Sequence, residues 1–123
     1  MYSKKTEWGE ITISQSVFGK IVTEAAEPFG NRLQLCNAKG KSVSSSDSGS
    51  FLEISEENGR PVLKVYVLIR FGAGITRITK GMIETIGERT EALLGVPPES
   101  ISVIVKGVFS KNVAKRNIEV TKE

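Results

Sequence analysis

The sequence predicts a two-layer α+β fold, with a mixed or mostly antiparallel sheet and two amphipathic helices on one face. Three observations lead there. Pro61 to Phe71 alternates large apolar residues as a strand does, and Asn58-Gly59 separates it from another strand-like run. Two further stretches, near residues 17–29 and 75–94, carry apolar residues at helical spacing. The strands and helices are interleaved, and each helix has one apolar stripe that needs a sheet to cover it.

In chain order, Gly9-Glu10-Ile11-Thr12-Ile13-Ser14 alternates polar and apolar residues and predicts a short strand. Ser14 or Ser16 is placed to cap a helix, since a serine oxygen can accept a free N–H of the first turn. Val17, Phe18, Ile21, Val22, Ala25, Ala26 and Phe29 form its stripe, and Pro28 with Gly30 ends it. Leu33 and Leu35 alternate with Arg32 and Gln34, giving a modest strand over residues 31–37. Residues 38–50 hold six serines and one large apolar residue, Val43, and predict a mobile surface loop too polar to pack.

Phe51 to Ser55 and Pro61 to Phe71 then predict an antiparallel hairpin, because Asn-Gly tolerates the positive φ of a tight turn. Leu63, Val65, Val67, Ile69 and Phe71 form one face of the second run, which reads as the central strand. Gly72-Ala73-Gly74 turns the chain into a helix from about Ile75 to Leu94, with Ile75, Ile78, Met82, Ile86 and Leu93 as core stripe. Gly95, followed by Pro97-Pro98, stops it. Ser100 to Phe109 is a further strand. The order is β-α-β-β-β-α-β in one domain, with core 9–109, polar loop 38–50 and polar basic tail 110–123, where Ile118 and Val120 could add a short edge strand.

Composition narrows the function. The chain has 123 residues, a net charge of +3, one cysteine and no histidine. Such a length can bury a core without disulfides or metals. Lacking histidine, it cannot build Ser-His or Cys-His nucleophile pairs or a His-zinc site. Cys36 has no partner for an intramolecular bridge, which with the polar start predicts a reducing compartment. The longest apolar run, Val65 to Ile69, is too short to cross a membrane. Basic residues cluster only toward the C-terminus, at Lys106, Lys111, Lys115, Arg116 and Lys122.

Candidate chemistry is sparse. Gly40-Lys41-Ser42 lacks the glycine five residues earlier that a phosphate-binding loop needs; Leu35 stands there. Gly72-Ala73-Gly74-Ile75-Thr76-Arg77 follows a strand and opens a helix, but Arg77 replaces the third glycine of a dinucleotide fingerprint. What survives is a helix start flanked by Arg70, Arg77 and Lys80. With Gly72, Gly74 and Thr76, these residues are the candidate contacts for an anion or a partner. The other reading is that two glycines merely let the chain turn. Glu53, Glu56 and Glu57 have no second carboxylate placed opposite them, and Cys36 reads as a core or edge thiol. Trp8 has two readings, an exposed anchor or, as most such residues do, a ring packed over the end of a sheet. No catalytic residue, metal ligand or cofactor site is assigned.

Gly9, Ile11, Ile13 and Ser14, with Val17 three residues on, resemble the opening of the alkaline shock protein family of bacterial envelope-stress proteins. The second half is the stronger match: Val62 to Gly72, Ile75 opening a long helix, Gly95-Val96, and Val105-Lys106-Gly107-Val108 closing a strand. The similarity spans about Gly9 to Val108; the serine-rich stretch from Lys39 to Ser50 departs from it. The resemblance implies a cytoplasmic, non-enzymatic protein of a family mostly from Gram-positive bacteria, whose members self-associate and in some cases are held near the membrane by a separate anchor protein. The expected function is therefore a protein-interaction or scaffolding module that binds itself or an envelope-associated protein, without inserting in the membrane directly. The alternative is a small nucleic-acid-binding α+β module. Against it stand the absence of a GXXG loop between helices and of paired aromatics on one strand.

Overall fold

The computed structural model describes residues 2–110 and is an α+β fold. Its elements are β1 (Tyr2–Thr6), β2 (Gly9–Ile13), α1 (Gln15–Ala26), a 3-10 segment (Glu27–Arg32), β3 (Leu33–Leu35), α2 (Ser48–Phe51), β4 (Leu52–Glu57), β5 (Arg60–Arg70), α3 (Ile75–Leu94) and β6 (Ser100–Phe109). The expected tail strand around Ile118 and Val120, and the basic residues after Ser110, lie outside the described residues.

β5 organises the domain. Leu63, Val65, Val67 and Ile69 are fully buried on its inner face. β6 runs parallel to it from Val62↔Ser100 to Arg70↔Phe109, with a bulge that leaves Lys106 as the extra residue. β3 is antiparallel to β5 at Leu33↔Ile69 to Leu35↔Val67, and β4 at Leu52↔Val65 to Glu57↔Arg60. Because β6 covers the length of both pairings, β3 and β4 lie end to end along the opposite edge of β5. The Asn58-Gly59 turn closes β4 onto β5 with φ of 54° and 76°, as its sequence predicts.

α1 and α3 cover the inner face side by side and antiparallel. Arg89 of α3 pairs with Glu24 of α1, and Phe29, just past α1, sits against Gly81 of α3, where a Cβ would come within 2.9 Å of the ring. The cluster joins Phe18, Ile21, Val22 and Ala25 of α1 to Ile78, Met82 and Ile86 of α3. α3 has the predicted bounds, and Gly95 ends it in left-handed geometry at φ 83°. Its stripe continues through buried Thr90, while Ile75 and Leu93 are about half exposed. At the start of α1, Ser14 is extended and makes no side-chain cap; its hydroxyl meets that of Ser16 at 3.0 Å instead.

Two expectations need correction. The strand at Gly9–Ile13 does not join the main sheet; it pairs with β1 as a separate hairpin, from Tyr2↔Ile13 to Thr6↔Gly9. Tyr2 makes this possible: its ring is buried edge-on to Phe18 and its hydroxyl donates to the Gly59 carbonyl at 2.6 Å. The serine-rich stretch is largely exposed, as its composition predicts, and touches the rest of the domain at a few points. Cys36 and Leu52 face neighbouring residues of β5, so everything between is an excursion from one edge. It starts on the outer face, where the Asn37 side chain accepts the Lys39 and Lys41 N–H groups and Gly40 comes against Lys106. It returns on the helix side, where Val43 packs on the core, Ser48 lies over Gly19, and Phe51 is fully buried. Phe51 closes α2 rather than opening the strand, and its burial is the anchor that polar composition conceals. Finally, Phe71 leaves the buried face of β5 and is 79% exposed, because the chain turns away at Arg70.

Candidate functional site

The chain passes from β5 to α3 through Phe71-Gly72-Ala73-Gly74. Gly72 and Gly74 take φ of 85° and 87°, which side-chain-bearing residues adopt only with strain. The Ala73 N–H donates to the Arg70 carbonyl at 3.0 Å, and the Phe71 N–H to the Phe109 carbonyl at 2.6 Å, which ties the turn to the end of β6. A hollow of about 470 Å³ results, with Phe71, Ala73, Ile75 and Val108 as its apolar lining and Arg70 and Arg77 beside them. An adjoining hollow of about 380 Å³ shares Arg70 and Arg77 and adds Arg32. The two form one cleft.

The cleft is cationic. No aspartate or glutamate lines either hollow, and among the described residues the ion pairs involve Arg60, Lys64 and Arg89, none of the three cleft arginines. Arg32 is held from behind: its Nε donates to the Phe29 carbonyl at 3.1 Å, and its guanidinium carbon lies 5.9 Å from the Phe29 ring centre. Such a site can hold an apolar or aromatic group with negative charge beside it.

Of the residues singled out in the sequence, Arg70, Gly72, Gly74 and Arg77 line both hollows and Thr76 lines the larger. Lys80 lines neither and is exposed about a turn further along α3. Sequence reasoning missed Arg32, Phe71 and Val108. Arg32 arrives through pairing: Leu33 opposite Ile69 sets Arg32 beside Arg70. No local pattern announces that.

Set against protein-family profiles, curated proteins and solved structures, the chain matches none.

A second surface feature is the β1–β2 hairpin. Tyr2 and Ile13 bury its base, while residues 5–12 are exposed. Trp8 sits in the turn at the far end and is 90% exposed rather than packed over the end of a sheet. The Thr6 hydroxyl shapes the turn, accepting the Trp8 N–H at 3.1 Å and donating to the Gly9 carbonyl at 3.0 Å. A third feature is β6, which pairs with β5 alone among the described strands and leaves its other edge unpaired.

The surroundings of Cys36, Tyr66 and Tyr2 shift their titration. Burial pushes the Cys36 thiol up to about 11, with Lys106 opposing more weakly. The Tyr66 hydroxyl donates to Glu53 at 2.8 Å, and this bond raises its pKa. Burial, then the charge of Glu56, raises that of Tyr2. Among the described residues no group of His, Cys, Asp or Glu is arranged to hold a metal ion, and no helix is long and apolar enough to cross a membrane.

Proposed function

We propose that this chain is a non-catalytic protein-interaction module that assembles with further copies of itself. An envelope-associated protein is the further partner that the resemblance to alkaline shock proteins implies, with the chain in the cytoplasm and membrane-adjacent through that partner. The observation that carries this reading is the hairpin arm. It sets a bare indole at its tip, away from its own core. Tryptophan is among the residues most enriched at the energetic centres of interfaces. The outer edge of β6, unpaired among the described residues, supports the same reading, since an unpaired strand accepts another strand through its backbone.

Sedimentation velocity over a wide concentration range tests it. The expected result is a weight-average mass that rises with concentration for the full chain and less steeply for Trp8→Ala. A monomer at every concentration that also fails to bind native envelope fractions overturns the reading.

A second reading, a nucleic-acid-binding module, has one observation in its favour: Arg32, Arg70 and Arg77 gather beside exposed Phe71. Guanidinium groups with an aromatic platform suit single-stranded nucleic acid. Three phosphate contacts would give a slope of log K against log salt of about −2 for a single strand. Binding that ignores salt would dismiss this reading.

A further inference from the structure

We propose that the arm tip of one copy docks in the cleft between β5 and α3 of the next, joining copies head to tail. The inference rests on the self-assembly reading above and names its contacts.

The two surfaces match in chemistry. The tip offers an indole with Glu7 beside it in the turn and Glu10 following, the latter opposite Lys5 on the other strand. The cleft offers Phe71, 79% exposed, and Ile75, 46% exposed, beside three arginines with no ion-pair partner among the described residues. An indole held against Phe71 and Ile75 gains burial and stands within reach of a guanidinium for cation–π attraction. Glu7 then meets an arginine rather than water alone.

The two surfaces also lie at opposite ends of the molecule. Tyr2 ties the arm's base to Gly59, at the start of β5, and the Lys4 ammonium donates to the Leu94 carbonyl, at the end of α3, at 3.3 Å. The cleft stands at the end of β5 and the start of α3. The 20 residues of α3 separate these ends by about 30 Å. A copy therefore cannot fill its own cleft with its own arm, but a neighbour can. Tip and cleft are different patches, so the contact is heterologous and leaves a free tip and a free cleft on every chain of copies. Such an assembly grows open-ended unless the rotation between copies closes a ring. The tip is small, which places each junction among weak, concentration-dependent interfaces, and its charges make it weaker as salt rises.

Complementation between two variants tests the pairing. Trp8→Ala removes the tip anchor and keeps the cleft. Arg77→Glu spoils the cleft and keeps the tip; a carboxylate in the first turn of α3 favours the helix, so the fold is retained. Each variant alone should associate at least tenfold more weakly than the unaltered chain by sedimentation velocity. An equimolar mixture should stop at a dimer, because one intact tip meets one intact cleft and nothing can be added. Phe71→Ala should behave as Arg77→Glu does. If both variants assemble as the unaltered chain does, head-to-tail docking is wrong and self-assembly stands by another surface. An unaltered chain that stays monomeric overturns both. If instead a single-stranded oligonucleotide binds the monomer, and Arg77→Glu abolishes that binding while Trp8→Ala leaves it intact, the cleft belongs to nucleic acid.

Discussion

The two edges of β5 are finished in opposite ways. On one edge β3 and β4 follow each other, and the excursion between them wraps around that side of the sheet from the outer face to the helices. On the other edge a single parallel strand, β6, closes β5 and stays unpaired along its own outer side among the described residues. The first edge is sealed by side-chain packing at Phe51, Cys36 and Val43, while the second leaves Ile101, Val103 and Val105 only partly buried. Stability should therefore be concentrated on the interrupted edge, and accessible backbone on the continuous one. An exposed strand edge is a hazard unless it is charged, bulged or used. Here Lys106 and its bulge interrupt the edge.

The largest effect expected from this contrast is at Phe51. Phe51→Ala empties a fully buried site and should cost about 3–5 kcal/mol in urea unfolding. A loss under about 1 kcal/mol would mean that the excursion does not anchor that edge.

Next comes Cys36, on the same edge. Its folded thiol is pushed up to about 11 from an ordinary value of 9.0, so below pH 9 both states keep the proton. As pH rises from 9 to 11 the unfolded chain releases it first. The stabilisation is therefore complete below about pH 9 and is lost through pH 11, on the order of 2–3 kcal/mol. Measured across that range, Cys36→Ala should flatten the decline, leaving the contributions of Tyr2 and Tyr66, whose raised values act in the same direction. An unchanged slope would show that another group governs it.

A smaller penalty, about 1–3 kcal/mol, is expected for Gly19→Ala, whose new Cβ would stand 2.5 Å from that of Ser48. Ser48→Gly in the same chain should recover most of it. Failure to recover would place the strain within α1 rather than at its contact with the excursion.

The smallest change is expected on the continuous edge. Ser102→Glu, exposed on the outer face of β6, should shift the stability of the dilute protein by no more than about 0.5 kcal/mol. If the same substitution reduces assembly at high concentration, the edge of β6 joins the interface; if it does not, assembly runs through other surfaces.

Local patterns in the sequence determined the parts whose causes are local. The alternation from Leu63 to Ile69 specifies β5 and its buried face. Asn58-Gly59 specifies the turn before it, and the stripe of Ile78, Met82 and Ile86 with Gly95 after it specifies α3. The glycines of the β5–α3 turn, with Arg70 and Arg77, were legible too, because a strand, two glycines and a helix follow in direct succession. Tertiary structure alone decided the rest. β2 found β1 because Tyr2 could reach Phe18 and Gly59, and Phe51 pinned the end of a polar, largely exposed stretch because its ring is fully buried. Arg32 joined the cleft through the pairing of β3 with β5, and Trp8 stayed bare because the hairpin buries only its base. Periodicity reports which side of an element is apolar. Which elements meet depends on contacts between residues far apart in the chain, and these arise only when the whole domain closes around β5.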